Sequence, residues 1–233
     1  MLGTSNSPPT GTVQDYVKAI HDLARHGGGA VSTNALADRL GVTAGSVSAM
    51  IKRLAERGLV AHAPYRGVTL TANGDQVALK VIRRHRLLET FLAEQLGMSW
   101  DRVHREAELL EHVLSDELED LIARKLGDPS RDPHGDPIPT SDLELEDRAT
   151  TSLAACDPGV TGVLAQISDA DPEMLRYLAD RKITPGERFE VLERQPFGGP
   201  LVVRVGEEEH VLGGALAEAI RVELDDATKP DAQ

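Results

Sequence analysis

The sequence has a single cysteine, Cys156, and no apolar run approaching the roughly 20 residues that a membrane-spanning helix requires. One thiol excludes an intramolecular disulfide framework and any zinc site built from several cysteines. The opening segment is polar and contains Pro8 and Pro9, and it lacks the charged start and apolar stretch of a secretory signal. We therefore expect a cytosolic chain with no membrane segment.

Positive charge is also scarce, with 25 Lys and Arg against 38 Asp and Glu among 233 residues and a net charge of -13. This balance argues against nucleic-acid binding by the chain as a whole. However, the net charge is +2 over 1–75, -2 over 76–126 and -13 over 127–233. The imbalance therefore lies in the C-terminal part, and association with a polyanion is not excluded for the N-terminal part.

Apolar residues at helical spacing predict a helix over 13–25 in the N-terminal part. Two shorter helices follow, over 32–40 and 43–57, with hydroxyl residues at their starts and glycines at their ends. Short strand patterns then predict a hairpin over 59–71, with its turn at 64–67. Two helices followed by a hairpin are typical of a winged helix-turn-helix, which binds DNA.

In that architecture the N-terminal end of the second helix meets base edges in the major groove. The residues at this end are small and mostly hydroxylic, namely Thr43, Ala44, Gly45, Ser46, Ser48 and Ala49. They lack the Arg, Asn or Gln that makes bidentate base contacts, so we expect methyl contacts and groove shape to supply much of the readout. Lys52, Arg53 and Arg66 are placed to meet phosphates. The alternative is a helical core motif with ordinary surface charges.

A long helix is predicted over 74–96 and another over 100–126. With successive residues about 100° apart, one stripe of the second helix carries His104, Glu108, Glu111 and His112. The adjoining stripe is apolar and is expected to be buried, and it consists of Val103, Ala107, Leu110, Leu114 and Leu118. On the first helix, His85 and Glu89 are spaced i, i+4. Nitrogen and oxygen ligands without thiolate favour manganese, iron(II) or zinc. The alternative is a solvated acidic face whose histidines are satisfied within the protein.

A cluster of His and Glu residues could instead activate water for hydrolysis. The sequence contains neither a Gly-rich phosphate loop nor a nucleophile elbow to accompany such a centre. We therefore expect a binding protein and not an enzyme, with no organic cofactor. A metal-dependent hydrolase is kept as the less favoured alternative.

Residues 127–150 hold four prolines and many acidic residues, which predicts a linker or an irregular connection. From 153 onward the pattern changes to short apolar runs separated by Gly and Pro. Such runs suit a small domain resembling a β-barrel, with one short helix inside 171–181.

Three segments of the sequence are distinctive, namely RRHRLLETFL at 83–92, VHREAELLEHVLSD at 103–116 and DPHGDPIP at 132–139. Together they resemble the diphtheria toxin repressor family of metal-dependent transcriptional repressors, in its manganese-responsive branch. The resemblance implies a mainly α protein with a winged helix-turn-helix over 1–75. It further implies a helical dimerisation and metal-binding domain over 76–148 and a small C-terminal SH3-like (FeoA-like) β-barrel over 149–233.

The resemblance also implies two metal sites. The primary site would use Asp15, Glu108, Glu111 and His112, and the ancillary site would use His85, Glu89 and His104, with Asp171 as a further candidate ligand. The iron-responsive branch has a thioether and a cysteine at the positions of Asp15 and Glu108, and carboxylates there suit the harder manganese ion. Lys18 stands where compact manganese repressors have a further carboxylate, so a closely bridged metal pair of their type is not expected.

The function implied is that of a homodimeric repressor that binds double-stranded operator DNA when loaded with Mn(II) and controls genes of metal uptake and homeostasis. Because dimeric helix-turn-helix proteins read two half-sites, the operator should be a pseudo-palindrome. An iron(II)-dependent repressor of the same fold is the alternative, and other divalent transition metals are kept as further candidate ions for these sites.

Overall fold

The structure, a computed structural model, describes residues 9–63, 66–146 and 148–225. Its helices are α1 (Gly11–Gly27), α2 (Thr33–Leu40), α3 (Ala44–Glu56), α4 (Ala72–Glu94), α5 (Trp100–Leu110), α6 (Asp116–Leu126), α7 (Pro172–Ala179) and α8 (Gly214–Glu218). Its strands are β1 (Val60–Ala63), β2 (Gly67–Leu70), β3 (Thr151–Ser152), β4 (Thr161–Ile167), β5 (Arg188–Arg194), β6 (Leu201–Val205), β7 (Glu208–Leu212) and β8 (Ile220–Leu224). The turn predicted at 64–67 includes Pro64 and Tyr65, which lie outside the described residues.

The chain forms two compact units. The first comprises residues 1–85, 109–116 and 139–145, and the second comprises 86–108, 117–138 and 146–233. Of the helices described in the two units, none is both long and apolar enough to cross a membrane.

The first unit contains the helix-turn-helix and hairpin that the sequence predicts. Ser32 and Thr43 cap α2 and α3, since their side chains accept hydrogen bonds from the backbone N–H groups of Ala35 and Ser46, the third residue of each helix. Gly41 ends α2 with a φ of 64°, a left-handed conformation that glycine adopts without strain. Strands β1 and β2 pair antiparallel, and Val68 of β2 also bridges to Val31.

The core of this unit joins the first three helices to the hairpin. Ile20 of α1, Leu36 of α2 and Leu54 of α3 are fully buried in one cluster. Burial of each such side chain contributes about 1.5–3 kcal/mol relative to leaving it exposed. Because Val47 and Ile51 also face this core, the polar stripe of α3 is left on the surface.

The prediction of one helix over 100–126 is wrong, because the chain forms α5 and α6 with a turn between them at 111–115. The sequence Ser115-Asp116-Glu117 is a helix-start signal that favours the second helix. Two residues of the predicted buried stripe are consequently exposed, Leu110 at 40% and Leu118 at 48%. Val103, Ala107 and Leu114 are buried as predicted.

The second unit contains an antiparallel sheet of six strands in the order β3-β8-β4-β5-β6-β7. Its core includes Leu164, Val191, Val203, Leu212 and Val222, together with the buried free thiol of Cys156. The apolar runs predicted as strands form β4 to β7, and the short helix inside 171–181 is α7. The sequence reading did not identify β3 or β8, which pair with each other.

Candidate metal centres and nucleic-acid face

In the first unit, Asp15, Glu111 and His112 form a cluster that we call the primary pocket. One ligand atom from each residue lies within 4.8 Å of the other two. Asp15 comes from α1, whereas Glu111 and His112 lie in the turn that follows α5. The His112 Nε2 atom lies 2.8 Å from Asp15 Oδ1 and 3.6 Å from Glu111 Oε1. Two carboxylates and an imidazole are a donor set that fits a divalent transition metal.

The orientation of His112 suits a ligating imidazole. Its Nδ1 atom lies 2.7 Å from the side-chain oxygen of Gln14, so an Nδ1–H group can donate there while Nε2 faces the carboxylates. Gly11 permits this approach, because a Cβ atom at that position would lie only 3.3 Å from the His112 ring. The start of α1 therefore both positions Asp15 and makes room for its histidine neighbour.

The two carboxylates of the primary pocket have opposite electrostatic settings. Glu111 is only 2% exposed, and burial alone would raise its pKa, but the hydrogen bond with His85 and the ammonium of Lys18 outweigh burial and lower that pKa. Burial raises the pKa of Asp15, and the charge of Glu111 adds to this effect against the opposing influence of His112. Of the two carboxylates, Asp15 is therefore the one whose negative charge is less well stabilised within the protein.

The second unit contains another cluster, which we call the second pocket and which consists of Glu89, His104, His134 and Asp169. The His104 Nδ1 atom lies 3.1 Å from Glu89 Oε1 and 2.8 Å from Asp169 Oδ2. Ligand atoms of Glu89, His134 and Asp169 also lie within 4.8 Å of one another. Nitrogen and carboxylate donors converge here as they do in the primary pocket.

His134 provides the clearest sign of a missing partner in this pocket. The side chain is fully buried, and its Nε2–H group can donate to the Trp100 carbonyl oxygen at 2.9 Å. The other ring nitrogen, Nδ1, lies 3.8 Å from Glu89 Oε2, too far for a hydrogen bond, and has no hydrogen-bond partner in the described part of the chain. Nδ1 and the buried Glu89 carboxylate thus face each other without a hydrogen bond, and a positive charge between them, from a proton on Nδ1 or from a metal ion in its place, fits this arrangement.

The loop that contains His134 is held closely against the sheet. Asp132 Oδ1 accepts hydrogen bonds from the backbone N–H groups of His134 and Asp136 at 2.8 and 2.9 Å. Gly135 has a φ of 88°, and a Cβ atom there would lie 2.0 Å from the carbonyl oxygen of Ala165. The Trp100 ring stacks on His134 with centroids 5.7 Å apart. Within the predicted connection over 127–150, the stretch at 131–139 is therefore irregular but packed.

Protonated histidines are the cations that the second pocket itself contains. Burial alone would lower the pKa of His104, but the carboxylates of Asp169, Glu108 and Glu89 raise it to about 12. Burial also opposes protonation of His134, yet Glu89 and Asp132 raise its pKa to about 9. Since histidine must be neutral to bind a metal, occupation of this pocket would release protons.

The other predicted ligands are placed as follows. His85 Nδ1 lies 2.5 Å from Glu111 Oε2, and Glu108 Oε1 lies 3.4 Å from His104 Nε2. Asp171 caps α7, where its carboxylate accepts hydrogen bonds from two backbone N–H groups, and the carboxylate against His104 is that of Asp169. The ligand assignments made from the sequence stay predictions.

Sequence reasoning missed His134 and Asp169. A signal for His134 was present, because it lies within the DPHGDPIP segment that carries the family resemblance. Asp169 is two residues before Asp171 in a short acidic stretch, and nothing in its spacing distinguishes it. Its position depends on how β4 ends and α7 begins.

The predicted DNA-contacting residues form an exposed face of the helix-turn-helix. Those exposed are Thr43, Ala44, Gly45, Ser46, Ser48, Ala49, Lys52, Arg53 and Arg66. All three hydroxyls of this face are engaged locally, because Thr43 accepts from the Ser46 N–H, the Thr43 and Ser46 hydroxyls are hydrogen-bonded at 3.0 Å, and Ser48 donates to the Ala44 carbonyl. The face therefore presents mainly methyl and methylene groups, flanked by three cationic side chains.

Comparisons with known proteins agree with this arrangement. Residues 10–68 match the iron dependent repressor N-terminal DNA binding domain, 71–140 match the iron dependent repressor metal binding and dimerisation domain, and 151–224 match the FeoA domain. The chain is 32% identical to the iron-dependent repressor IdeR of Mycobacterium tuberculosis, over 91% of this chain and 96% of that protein. It is 33% identical to the diphtheria toxin repressor of Corynebacterium efficiens, over 91% of this chain and 95% of that protein.

A solved structure described as a manganese-dependent transcriptional repressor in complex with manganese superposes with a TM-score of 0.85. It is 48% identical to this chain, and the match covers 90% of this chain and 98% of that one. The relatives are DNA-binding metalloregulators and not enzymes, which removes the hydrolase alternative. The chain has a helical DNA-binding domain, a helical dimerisation domain and a C-terminal β-sheet domain, and it belongs to the iron-dependent repressor family of the diphtheria toxin repressor.

Proposed function

We propose that this chain is a manganese(II)-dependent transcriptional repressor that binds double-stranded operator DNA as a metal-loaded homodimer and controls genes of metal uptake and homeostasis. The observation that carries the proposal is the meeting of Asp15, on the helix before the helix-turn-helix, with Glu111 and His112 from a much later turn. These residues supply nitrogen and oxygen donors and no thiolate, a combination that suits manganese(II).

Both pockets enter the proposal. Asp15, Glu111 and His112 would hold the primary ion, and Glu108 is kept as a further ligand on sequence grounds. Glu89 and His104 would hold the ancillary ion, and the geometry of the second pocket supports adding His134 and Asp169. His85 and Asp171 stay predicted ancillary ligands from the sequence alone.

The bound ion would supply the positive charge that holds Asp15 against Glu111 and His112. Around it, the chain's own packing transmits the position of Asp15 to the DNA-binding face. Helix α1 shares a core with α2 and α3 through Ile20 and Leu54, so a shift of Asp15 changes the placement of α3. A ligand that favours one placement over the others shifts the population toward it.

The homodimer is supported by apolar side chains that are exposed near the turn between α5 and α6. Leu109 and Val113 of the first unit, and separately Leu118 and Leu121 of the second unit, are exposed although each has a large apolar side chain. A second copy of the chain would remove such surface from water, as in a two-fold symmetric interface. The family match to a dimerisation domain over 71–140 supports this interpretation.

The finer description of the protein belongs to the same proposal. We infer a mainly α protein with domain limits at 1–75, 76–148 and 149–233, of which the last is an SH3-like barrel. A regulator of this kind acts in the cytoplasm, where the operator is. The FeoA match over 151–224 and the six-stranded sheet support the third domain.

The test is operator binding with and without metal, measured by footprinting on the promoter of the protein's own gene. Protection of a pseudo-palindromic site in Mn(II) that is lost in a chelator is the expected result. Equal protection in both conditions would contradict the proposed co-repressor role of the metal.

Iron(II) is the second candidate metal, because the relative that covers nearly the whole chain at 32% identity is named an iron-dependent repressor. Anaerobic DNA-binding titrations at buffered free Mn(II) and free Fe(II) distinguish the two. We expect half-maximal DNA binding at a lower free concentration of Mn(II) than of Fe(II), although Mn(II) generally binds such ligands more weakly. A clear preference for Fe(II) would favour the iron-dependent alternative.

A further inference from the structure

The hairpin of β1 and β2, which we call the wing, is anchored to the segment that connects α1 with α2. The backbone N–H of Val31 donates to the Val68 carbonyl oxygen at 2.8 Å, and the N–H of Val68 donates back to the Val31 carbonyl oxygen at 2.9 Å. Both valines are buried, with exposures of 6% and 0%. One residue of a short connection therefore acts as a third strand beside β2, within the first unit.

Gly67, the first residue of β2, lies directly against this anchor. Its φ is 89°, a conformation that side chains rarely adopt. A Cβ atom there would lie 2.7 Å from the Val31 carbonyl oxygen and 3.3 Å from the carbonyl carbon of Ala30. Both neighbours are backbone atoms, which cannot rotate away as the end of a side chain can. A larger residue at this position would therefore have to push the wing away from the connection.

Arg66 immediately precedes Gly67 in the wing, and its side chain is exposed. Its backbone N–H donates to the Ala63 carbonyl oxygen at 3.0 Å, which closes the turn on the other side. In the described part of the chain, no carboxylate forms an ion pair with its guanidinium group. Arg66 therefore carries an uncompensated positive charge between two anchored points of the backbone.

We propose that Gly67 is a positioning residue for DNA binding, because it allows the wing to pack against Val31 and thereby holds Arg66 where its guanidinium meets a phosphate of the DNA backbone. The inference rests on the proposed DNA-binding function, with Arg66 as a phosphate contact. A cation that is held in place before binding loses less freedom when the complex forms, so more of its attraction for the phosphate contributes to affinity. A wing released from Val31 would sample other positions, and the contact would be lost.

The experiment compares the full chain with its Gly67→Ala, Arg66→Ala and Gly28→Ala variants and with the double variant that combines Arg66→Ala and Gly67→Ala. Fluorescence anisotropy in Mn(II), across a salt series, gives the affinity for a duplex from the promoter of the protein's own gene and for an unrelated duplex. Gly67→Ala should reduce the slope of log affinity against log salt by as much as Arg66→Ala does, which is about one for each chain bound. The double variant should match Gly67→Ala in slope and affinity, because both substitutions remove the same contact.

Gly28→Ala is the matched control, because Gly28 has a φ of 70° and a Cβ atom there would meet nothing within 4 Å. It lies in the same connection as Val31 and carries the cost of a left-handed conformation, but it leaves the contact between β2 and Val31 intact. It should therefore lower the thermal unfolding temperature while the salt slope stays that of the wild type. A purely structural role of Gly67 would give this same pattern in Gly67→Ala.

Two results would overturn the role of Gly67. One is a folded Gly67→Ala variant with the wild-type slope, and the other is a double variant that binds more weakly than Gly67→Ala, since Arg66 would then still contact DNA in the single variant. If Gly67→Ala does not fold, Gly67→Asn takes its place, because Asn tolerates a positive φ better, and failure of both to fold would also overturn the proposal. Failure of the proposed function gives a different result, in which the wild-type chain binds neither duplex in Mn(II).

Discussion

At the scale of single residues, the two carboxylates of the primary pocket differ in how their negative charges are neutralised. Lys18 and His85 compensate Glu111 inside the protein, whereas Asp15 is half-exposed and its pKa is raised by burial and by the nearby charge of Glu111. A divalent ion therefore changes the environment of Asp15 most. Asp15 is also the residue of this pocket that belongs to the helix packed against the DNA-binding helices.

Replacing Asp15 by Ala should preserve folding and the dimer but reduce Mn(II)-dependent operator affinity by at least about ten-fold, since the ion that would hold α1 against Glu111 and His112 loses one ligand. Fluorescence anisotropy at fixed free Mn(II) measures the affinity, and circular dichroism with sedimentation checks the fold and the dimer. Asp22→Ala, two turns further along α1, is the matched control and should bind normally. Normal operator binding by Asp15→Ala would refute the proposal that the ion acts by holding α1 against Glu111 and His112.

Replacing Glu108 by Cys should shift the metal response toward Fe(II) and softer ions, because a thiolate replaces a hard oxygen donor. DNA-binding titrations at buffered free Mn(II), Fe(II) and Zn(II) give the order of response. Glu117→Cys, an exposed position on α6, controls for the presence of a new thiol. An unchanged metal order in Glu108→Cys would show that Glu108 is not a ligand.

At the scale of secondary-structure elements, the two pockets depend on segments that are neither helix nor strand. Glu111 and His112 lie in the turn between α5 and α6, and His134 lies in the irregular segment before β3. Such segments need their backbone groups satisfied by specific partners. Asp132 does this for the His134 segment through two backbone N–H groups, and Gly135 allows the close contact with β4.

Replacing Gly135 by Ala should destabilise the second unit by about 1–3 kcal/mol, because a Cβ atom would meet the Ala165 carbonyl oxygen in a conformation that already disfavours side chains. Displacement of His134 should also remove the second-pocket metal and leave the primary one. Chemical unfolding and Mn(II) stoichiometry measure the two effects.

Gly159→Ala is the matched control for that variant. Gly159 has a φ of 86°, close to the 88° of Gly135, but a Cβ atom there would meet nothing within 4 Å. It should therefore show only the cost of the backbone conformation. Equal effects in both variants would show that the contact with Ala165 does not hold the loop.

At the scale of the whole molecule, net positive charge lies in the N-terminal part of the chain and net negative charge in the C-terminal part. The net charge is +2 over 1–75 and -13 over 127–233, so the part that contains the helix-turn-helix is cationic within an acidic protein. Electrostatic attraction to DNA is then local to the exposed face of α3 and the hairpin, where Lys52, Arg53 and Arg66 flank the small residues. Self-repulsion between acidic parts works against non-specific association elsewhere.

Replacing Arg53 by Ala should weaken binding to all DNA sequences and reduce the slope of log affinity against log salt by about one, because one phosphate contact is lost. Anisotropy titrations across a salt series, with operator and with unrelated DNA, give the slope. Lys182→Ala removes an exposed cation outside the helix-turn-helix and should leave the slope unchanged. Loss of affinity for the operator alone would instead assign Arg53 to base recognition.

Much of the local structure followed from residue patterns of a few turns or less. Helical spacing and caps such as Ser32 and Thr43 predicted the first helices, and short apolar runs predicted β4 to β7. The helix break at 111–115 was missed because the heptad-like apolar pattern continues through it. Strand β3 was missed because a two-residue strand has no periodicity, and only its pairing with β8 defines it. Strand β8 does alternate, with Ile220, Val222 and Leu224 separated by polar residues, so its signal was present in the sequence.

The sequence by itself determined which types of metal donor are available, since nitrogen and oxygen ligands without thiolate are a property of composition and spacing. It also indicated the family to which the chain belongs. The tertiary structure alone decided which donors meet. It brought Asp15 to His112, placed Lys18 against Glu111, and set Asp169 and His134 beside Glu89. The physical reason is that spacing along one helix specifies only which side chains share a face. Contacts between distant segments depend on the packing of whole elements, which no local pattern encodes.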